Sequence, residues 1–192
     1  NDAHVYNVGS LSIDNLRSLN LYSIEEFKTR FNIDLSIPSI LITFHPETVS
    51  LEKNEYFIGE LLQALDSITE YQYIFTMPNA DPMGSMIRNH IQDFIARTPH
   101  AKGIESFGTT GYLSCMKHCR FMMGNTSSGF IEASFFPKYV INLGERQRGR
   151  IITSNIYSCP LERQAVIHAV HSYQNIKPLP TVAIYGNGNA AS

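Results

Sequence analysis

The 192-residue sequence is 43% hydrophobic and 17% charged, which suits one globular domain with a sizeable core and argues against disorder. Lys and Arg number 15 against 17 Asp and Glu, a formal charge of −2, so no basic excess exists for gripping a nucleic-acid backbone. Apolar runs such as Ile40 to Ile42 and Phe121 to Met123 are far too short to span a bilayer, and no membrane partner is expected. In chain order, residues 4–8 read as strand-like without a local partner. Residues 1–7 show no basic region followed by an apolar stretch, so no secretory signal is read and a cytoplasmic location is expected. Residues 12–19 read as a short helix. Ser23 with Glu26 forms a capping box for another that ends at Phe31. Both helices are expected to lead into a sheet rather than belong to it.

From there the pattern alternates. Strands are predicted at 37–44, 71–77, 103–107, 120–124 and 138–143, and helices at 52–68, 85–97, 110–119, 127–136 and 159–174. Strand-then-helix units in succession predict an α/β fold with an open parallel sheet, helices on both faces. Cys115, Cys119 and Cys159 make no disulfide framework and read as free thiols of a reducing compartment.

In such sheets ligands bind beyond the carboxyl ends of the strands. The polar strand ends are Thr43-Phe44-His45-Pro46-Glu47-Thr48, Pro78-Asn79-Ala80-Asp81, Ser106-Phe107-Gly108-Thr109 and Gly124-Asn125-Thr126-Ser127-Ser128-Gly129. The last is the sharpest signal. It gathers backbone N–H groups, hydroxyls and a helix start around one point, as an anion site for phosphate or diphosphate requires. Glu132, one to two turns on, could accept hydrogen bonds from a ribose diol. The plain alternative is an ordinary helix cap. The turn is neither GxGxxG nor a Walker loop, so dinucleotide and P-loop readings are weak. His45, held extended by Pro46, either moves a proton or binds phosphate, or is a loop histidine without a role. The run Gly144-Glu145-Arg146-Gln147-Arg148-Gly149-Arg150 is either a flexible cationic loop that closes on a diphosphate or a solvated charge run. Cys115, His118 and Cys119 imitate a metal site without a fourth ligand, and no metal is expected. His168 and His171 read as helix surface. The sequon Asn125-Thr126-Ser127 is set aside for want of a secretory signal.

Together these segments resemble the C-terminal half of UDP-N-acetylglucosamine 2-epimerases, of the hydrolysing branch that feeds sialic and related nonulosonic acids. The matching pieces are Phe44 to Thr48, Met77 to Asp81, Gly124 to Gly129 with Glu132, Ile141 to Arg150, and Ile184 to Ala190. They stand in family order over almost the whole chain. The resemblance implies one half of a GT-B-type fold, two Rossmann-like domains facing a cleft. Residues 1–36 would be linker and leading helices from the interdomain region, 37–180 the UDP-binding domain, and 181–192 a truncated C-terminal segment. It implies a catalytic role for His45 and UDP contacts at Asn79, Phe107 (where the family holds the uracil), Thr126, Ser127, Glu132 and Arg146. No cofactor is implied. The implied partners are UDP, a UDP-amino sugar, a missing N-terminal domain and, in the full-length protein, a second copy in a homodimer. The implied reaction removes the C2 proton of UDP-N-acetylglucosamine, expels UDP to form 2-acetamidoglucal, and adds water to give N-acetylmannosamine. Carboxylates of the missing half would handle the C2 proton, so this half alone is expected to be inactive. The other readings are the donor domain of a GT-B glycosyltransferase and a non-catalytic UDP-sugar module.

Overall fold

The apolar segments around Ile40, Ile74 and Met122 have no polar face to offer water. The computed structural model, which describes residues 11–47, 51–79 and 82–176, buries them in a sheet covered on both sides. In chain order the elements are α1 (Leu11–Ser18), α2 (Ile24–Phe31), β1 (Ser39–Thr43), α3 (Asn54–Asp66), β2 (Gln72–Thr76), α4 (Pro82–Arg97), β3 (Ala101–Ile104), α5 (Gly108–His118), β4 (Phe121–Gly124), α6 (Glu132–Phe135), β5 (Val140–Leu143), β6 (Ile156–Cys159) and α7 (Arg163–Ser172). Single 3₁₀ turns, Leu51–Lys53 and Ser127–Gly129, precede α3 and α6. Among the described residues the strands form one all-parallel, 6-stranded sheet in the order β3-β2-β1-β4-β5-β6. From β1 the chain builds outward to β3, then returns to the other side of β1 at β4. The winding therefore reverses between β1 and β4, and a crevice opens there at the carboxyl edge.

Side chains alternate across the sheet and fill two cores. Ile40, Ile42, Tyr73, Phe75, Phe121, Met123, Ile141 and Leu143 pack with α3, α4 and α7. Leu41, Ile74, Met122 and Val140 pack on the other face with residues of α1, α2, α5 and α6. The capping box forms at both of its bonds, Ser23 Oγ accepting from the Glu26 N–H and Glu26 Oε2 from the Ser23 N–H. It sets α2 so that Phe27 is fully buried, while Ile13 and Leu16 of α1 are buried beside it. These helices therefore form part of a covering layer and do not merely lead into the sheet.

Two elements differ from expectation. The helix expected over 127–136 is broken into a 3₁₀ turn and the four-residue α6. Its first residues are hydroxylated or Gly, and the Thr126 side chain competes for the backbone by accepting from the Ser128 N–H. The strand β6 was not predicted, and only its last residue, Cys159, falls in the helix expected over 159–174. It is an edge strand with Tyr157 and Ser158 exposed, so it lacks the continuous apolar run of its neighbours, and α7 begins only beyond Pro160. The strand-like residues 4–8 and the Gly/Asn-rich residues 184–190 lie outside the described residues. No described helix is long and apolar enough to cross a membrane.

Candidate functional site

The crevice is built around the end of β4. Gly124 has φ 144°, and a Cβ there would lie 1.9 Å from the Thr43 carbonyl oxygen, so only glycine lets β1 and β4 approach this closely. Asn125 follows, fully buried. Its N–H donates to the Thr43 carbonyl at 3.2 Å. Its Oδ1 accepts from the His45 N–H at 2.8 Å, and its Nδ2 donates to the His45 carbonyl at 2.8 Å. A side chain thus continues the β1–β4 ladder past the last strand residue and fixes the backbone of His45. The imidazole is half-buried. Burial first, and then the Arg146 charge, hold its pKa below the ordinary value, which favours the neutral ring.

Thr126, Ser127 and Ser128 form the next turn. Thr126 Oγ1 accepts from the Ser128 N–H at 3.4 Å and faces Ser128 Oγ at 3.5 Å. With α6 only four residues long, no sizeable helix dipole stands behind them. The expected helix end is therefore corrected to a turn of N–H groups and hydroxyls. Hydroxyls also run along the adjoining strand ends: Thr76 Oγ1 donates to Thr43 Oγ1 at 2.9 Å, and Thr43 Oγ1 lies 3.5 Å from Tyr112 Oη. Burial pushes the Tyr112 phenol up to about 12, so it stays protonated as a donor.

Beside this turn lies a hollow of about 220 Å³ lined by Thr109, Tyr112, Leu113, Ser128 and Glu132, with Leu16 and Leu19 of the leading segment. Burial raises the Glu132 pKa, offset in part by a backbone hydrogen bond and the Arg150 charge. Phe107, at the start of α5, is 8% exposed. Its ring lies against Phe27 and Phe31 at centroid distances of 5.6 and 5.0 Å. The ring is taken up by the core, so a base held here would meet the main chain at Phe107 and no stacking face.

The arginine run is tied down and is not a free charge run. Gly144 turns the chain at φ 69°, where a Cβ would meet Glu47 Oε1 at 2.8 Å. The Arg146 N–H donates to Glu47 Oε1 and its Nε to the Pro46 carbonyl, both at 3.3 Å. Gln147 Nε2 donates to the Asn125 carbonyl at 2.8 Å, and Gln147 Oε1 accepts from Arg150 Nε at 2.6 Å. Arg146 also lines a second, larger cleft of about 770 Å³ with Glu47, Lys53, Phe57 and Leu161. Asn79 is exposed past the end of β2, where Arg88 donates to the Pro78 carbonyl at 2.7 Å and pairs with Glu105.

A family model described as UDP-N-acetylglucosamine 2-epimerase matches residues 1–192. The chain belongs to this family. It is 35% identical over 81% of its length to a hydrolysing GDP/UDP-N,N'-diacetylbacillosamine 2-epimerase of Campylobacter jejuni, covering 41% of that protein. It is 29% identical over 95% of its length to the polysialic acid biosynthesis protein P7 of Escherichia coli, covering 46% of it. The UDP-GlcNAc 2-epimerase of Neisseria meningitidis, solved with UDP-GlcNAc bound, superposes with a TM-score of 0.74 at 19% identity, over 95% of this chain and 52% of that one. The chain thus spans about half the length of the curated relatives it matches, and its fold is one half of a GT-B-type pair.

Within this epimerase half, the residues expected at the site all fall at the carboxyl edge of the sheet. His45 and Arg146 are joined through Pro46 and Glu47. Thr126 and Ser127 follow directly on Asn125, while Glu132 stands in its own hollow with Ser128. Among the described residues, Glu132 lines the smaller hollow and Arg146 the larger cleft. Sequence reasoning missed Asn125, Gln147 and Tyr112 as parts of the site. Asn125 and Gln147 stood inside the matching motifs without a role assigned to either, and a Tyr inside a helix carries no signal of its own. Cys115 and Cys119 are buried in the core and His118 Nε2 meets the Tyr22 carbonyl at 3.0 Å, so this group is accounted for by packing.

Proposed function

We propose that the chain is the UDP-binding half of a hydrolysing 2-epimerase that converts UDP-N-acetylglucosamine and water to N-acetylmannosamine and UDP. The observation that carries this reading is the turn at Asn125 to Ser128, hydrogen-bonded on one side to His45 and on the other to the arginine loop. Thr126 and Ser127 would hold the diphosphate, with Arg146 beside it. Glu132 would accept from the ribose hydroxyls in the hollow it shares with Tyr112 and Ser128. The base would lie towards Asn79 and the main chain at Phe107. Departure of UDP from C1 concentrates negative charge on the diphosphate. N–H groups of the turn and the Arg146 guanidinium are suited to receive it. A neutral His45 can donate a hydrogen bond to the leaving group. In this reading the missing half supplies the carboxylates that handle the C2 proton, and the complete protein is a cytoplasmic homodimer.

A UDP-linked diacetamido sugar is the second reading of the substrate, favoured by the Campylobacter jejuni relative. The two sugars differ at C4 and C6, and this half would bind the UDP of either.

The experiment is thermal unfolding with and without UDP. A ligand at 100 times its Kd stabilises by about 2.7 kcal/mol, which raises Tm by roughly 5–10 °C in a chain of this size. Millimolar UDP is expected to shift Tm by several degrees, and an unmoved Tm would sink the proposal.

A further inference from the structure

We propose that Asn125 and Gln147 are positioning residues of this site, fixing where His45 and Arg146 stand relative to the bound diphosphate. The proposal rests on the UDP reading of the crevice and adds to it a device that sets the crevice's geometry.

Every main-chain and side-chain polar group of Asn125 has a partner across the crevice. Its N–H meets Thr43, its carbonyl meets Gln147, and its side-chain amide holds both the N–H and the carbonyl of His45. An amide that bonds both backbone groups of one residue leaves that residue little freedom in φ and ψ. The direction of the imidazole follows from the backbone. Gln147 performs the matching task on the other loop. It is 7% exposed although it stands between two exposed arginines, because its side chain turns inward. There it donates to the Asn125 carbonyl and accepts from Arg150. Arg146 is thereby held against the loop of β1 at three places: its own N–H on Glu47, its Nε on Pro46, and its neighbour's amide on Asn125. None of these contacts needs a ligand, so the two groups that would face the diphosphate are set before it arrives, which removes an ordering cost from binding.

The test is a titration of His45 by NMR in the 192-residue chain, with UDP affinity measured alongside by calorimetry. Among the described residues, the charged groups on the segments around His45 are Glu47 of its own loop and Glu145, Arg146, Arg148 and Arg150 of the loop after β5. Gln147→Met keeps the volume and every charge but removes the amide. A change in the His45 titration then reports a moved loop and nothing else. Burial and Arg146 both depress the His45 pKa, so release of the loop is expected to raise it towards the ordinary imidazole value. UDP binding is expected to weaken about fivefold, the effect of one ordinary hydrogen bond. Gln147→Asn, one methylene too short to reach Asn125, is the second variant and is used if the first does not fold. A titration curve that superposes on the wild-type curve overturns the proposal, whatever happens to Tm, because a purely structural glutamine would alter stability and leave His45 alone. If the wild-type chain does not bind UDP but the titration still moves, the positioning stands and the nucleotide reading falls.

Discussion

Glu132 is a carboxylate placed at a cost. Burial raises its pKa, so the folded chain holds its proton more tightly than the unfolded chain does. Its ionisation therefore works against folding as pH rises through the ordinary glutamate range. Glu132→Gln is expected to raise Tm by about 2 °C at pH 7 while weakening UDP binding at least tenfold, through loss of a charged acceptor for the ribose. In the wild type, UDP affinity measured against pH is expected to fall as Glu132 takes up its proton on acidification. That fall should begin at a higher pH than an exposed glutamate would show. At this scale the positions of His45, Thr126 and Ser127 past the ends of β1 and β4 were legible, because the apolar runs that make those strands stop just before them. It placed Gln147 in a motif but not its inward turn, which depends on a carbonyl supplied from 22 residues away in the chain.

Among the elements, β4 and the turn after it decide whether a crevice exists. Gly124→Ala would set a methyl group 1.9 Å from a backbone oxygen of β1, in a main-chain conformation that alanine avoids. Backbone cannot yield as a side-chain tip does, so the expected loss is about 4 kcal/mol or more by chemical denaturation, a large fraction of a domain's total stability. A loss below about 1 kcal/mol would mean that β1 and β4 can part without harm. The buried strands β1, β2 and β4 were legible because continuous Ile, Leu, Phe and Met runs leave no other arrangement. Edge strand β6 was not, since one exposed side and two polar-facing residues erase that signal. The broken helix at 127–135 has a related cause. Its apolar residues Phe130 and Ala133 sit at helical spacing, while the hydroxyls before them hold the backbone in a tighter turn.

For the whole molecule, the chain covers 41% to 49% of the curated relatives, and in the function proposed above the crevice would face a second half. The 192-residue chain is expected to bind UDP yet release no N-acetylmannosamine from UDP-N-acetylglucosamine, as followed by chromatography of the incubated mixture. Release of the free sugar by this chain alone would show that the proton-handling carboxylates lie within it. The doubly wound topology was readable as alternation of strands and helices. Strand order was not, because pairing β1 with β4 depends on contacts between residues far apart in sequence.

That pairing has a consequence during synthesis. Ile40 of the first strand sits directly beside Phe121. Roughly 80 residues separate them, so at about 5–20 residues per second the ribosome needs several seconds to deliver the second after the first. Throughout that interval the nascent strand carries one bare, wholly apolar flank with its amides and carbonyls unmatched. A chaperone that recognises extended aliphatic segments would find its target at Ile40, Leu41 and Ile42, and would be displaced when Phe121, Met122 and Met123 emerge.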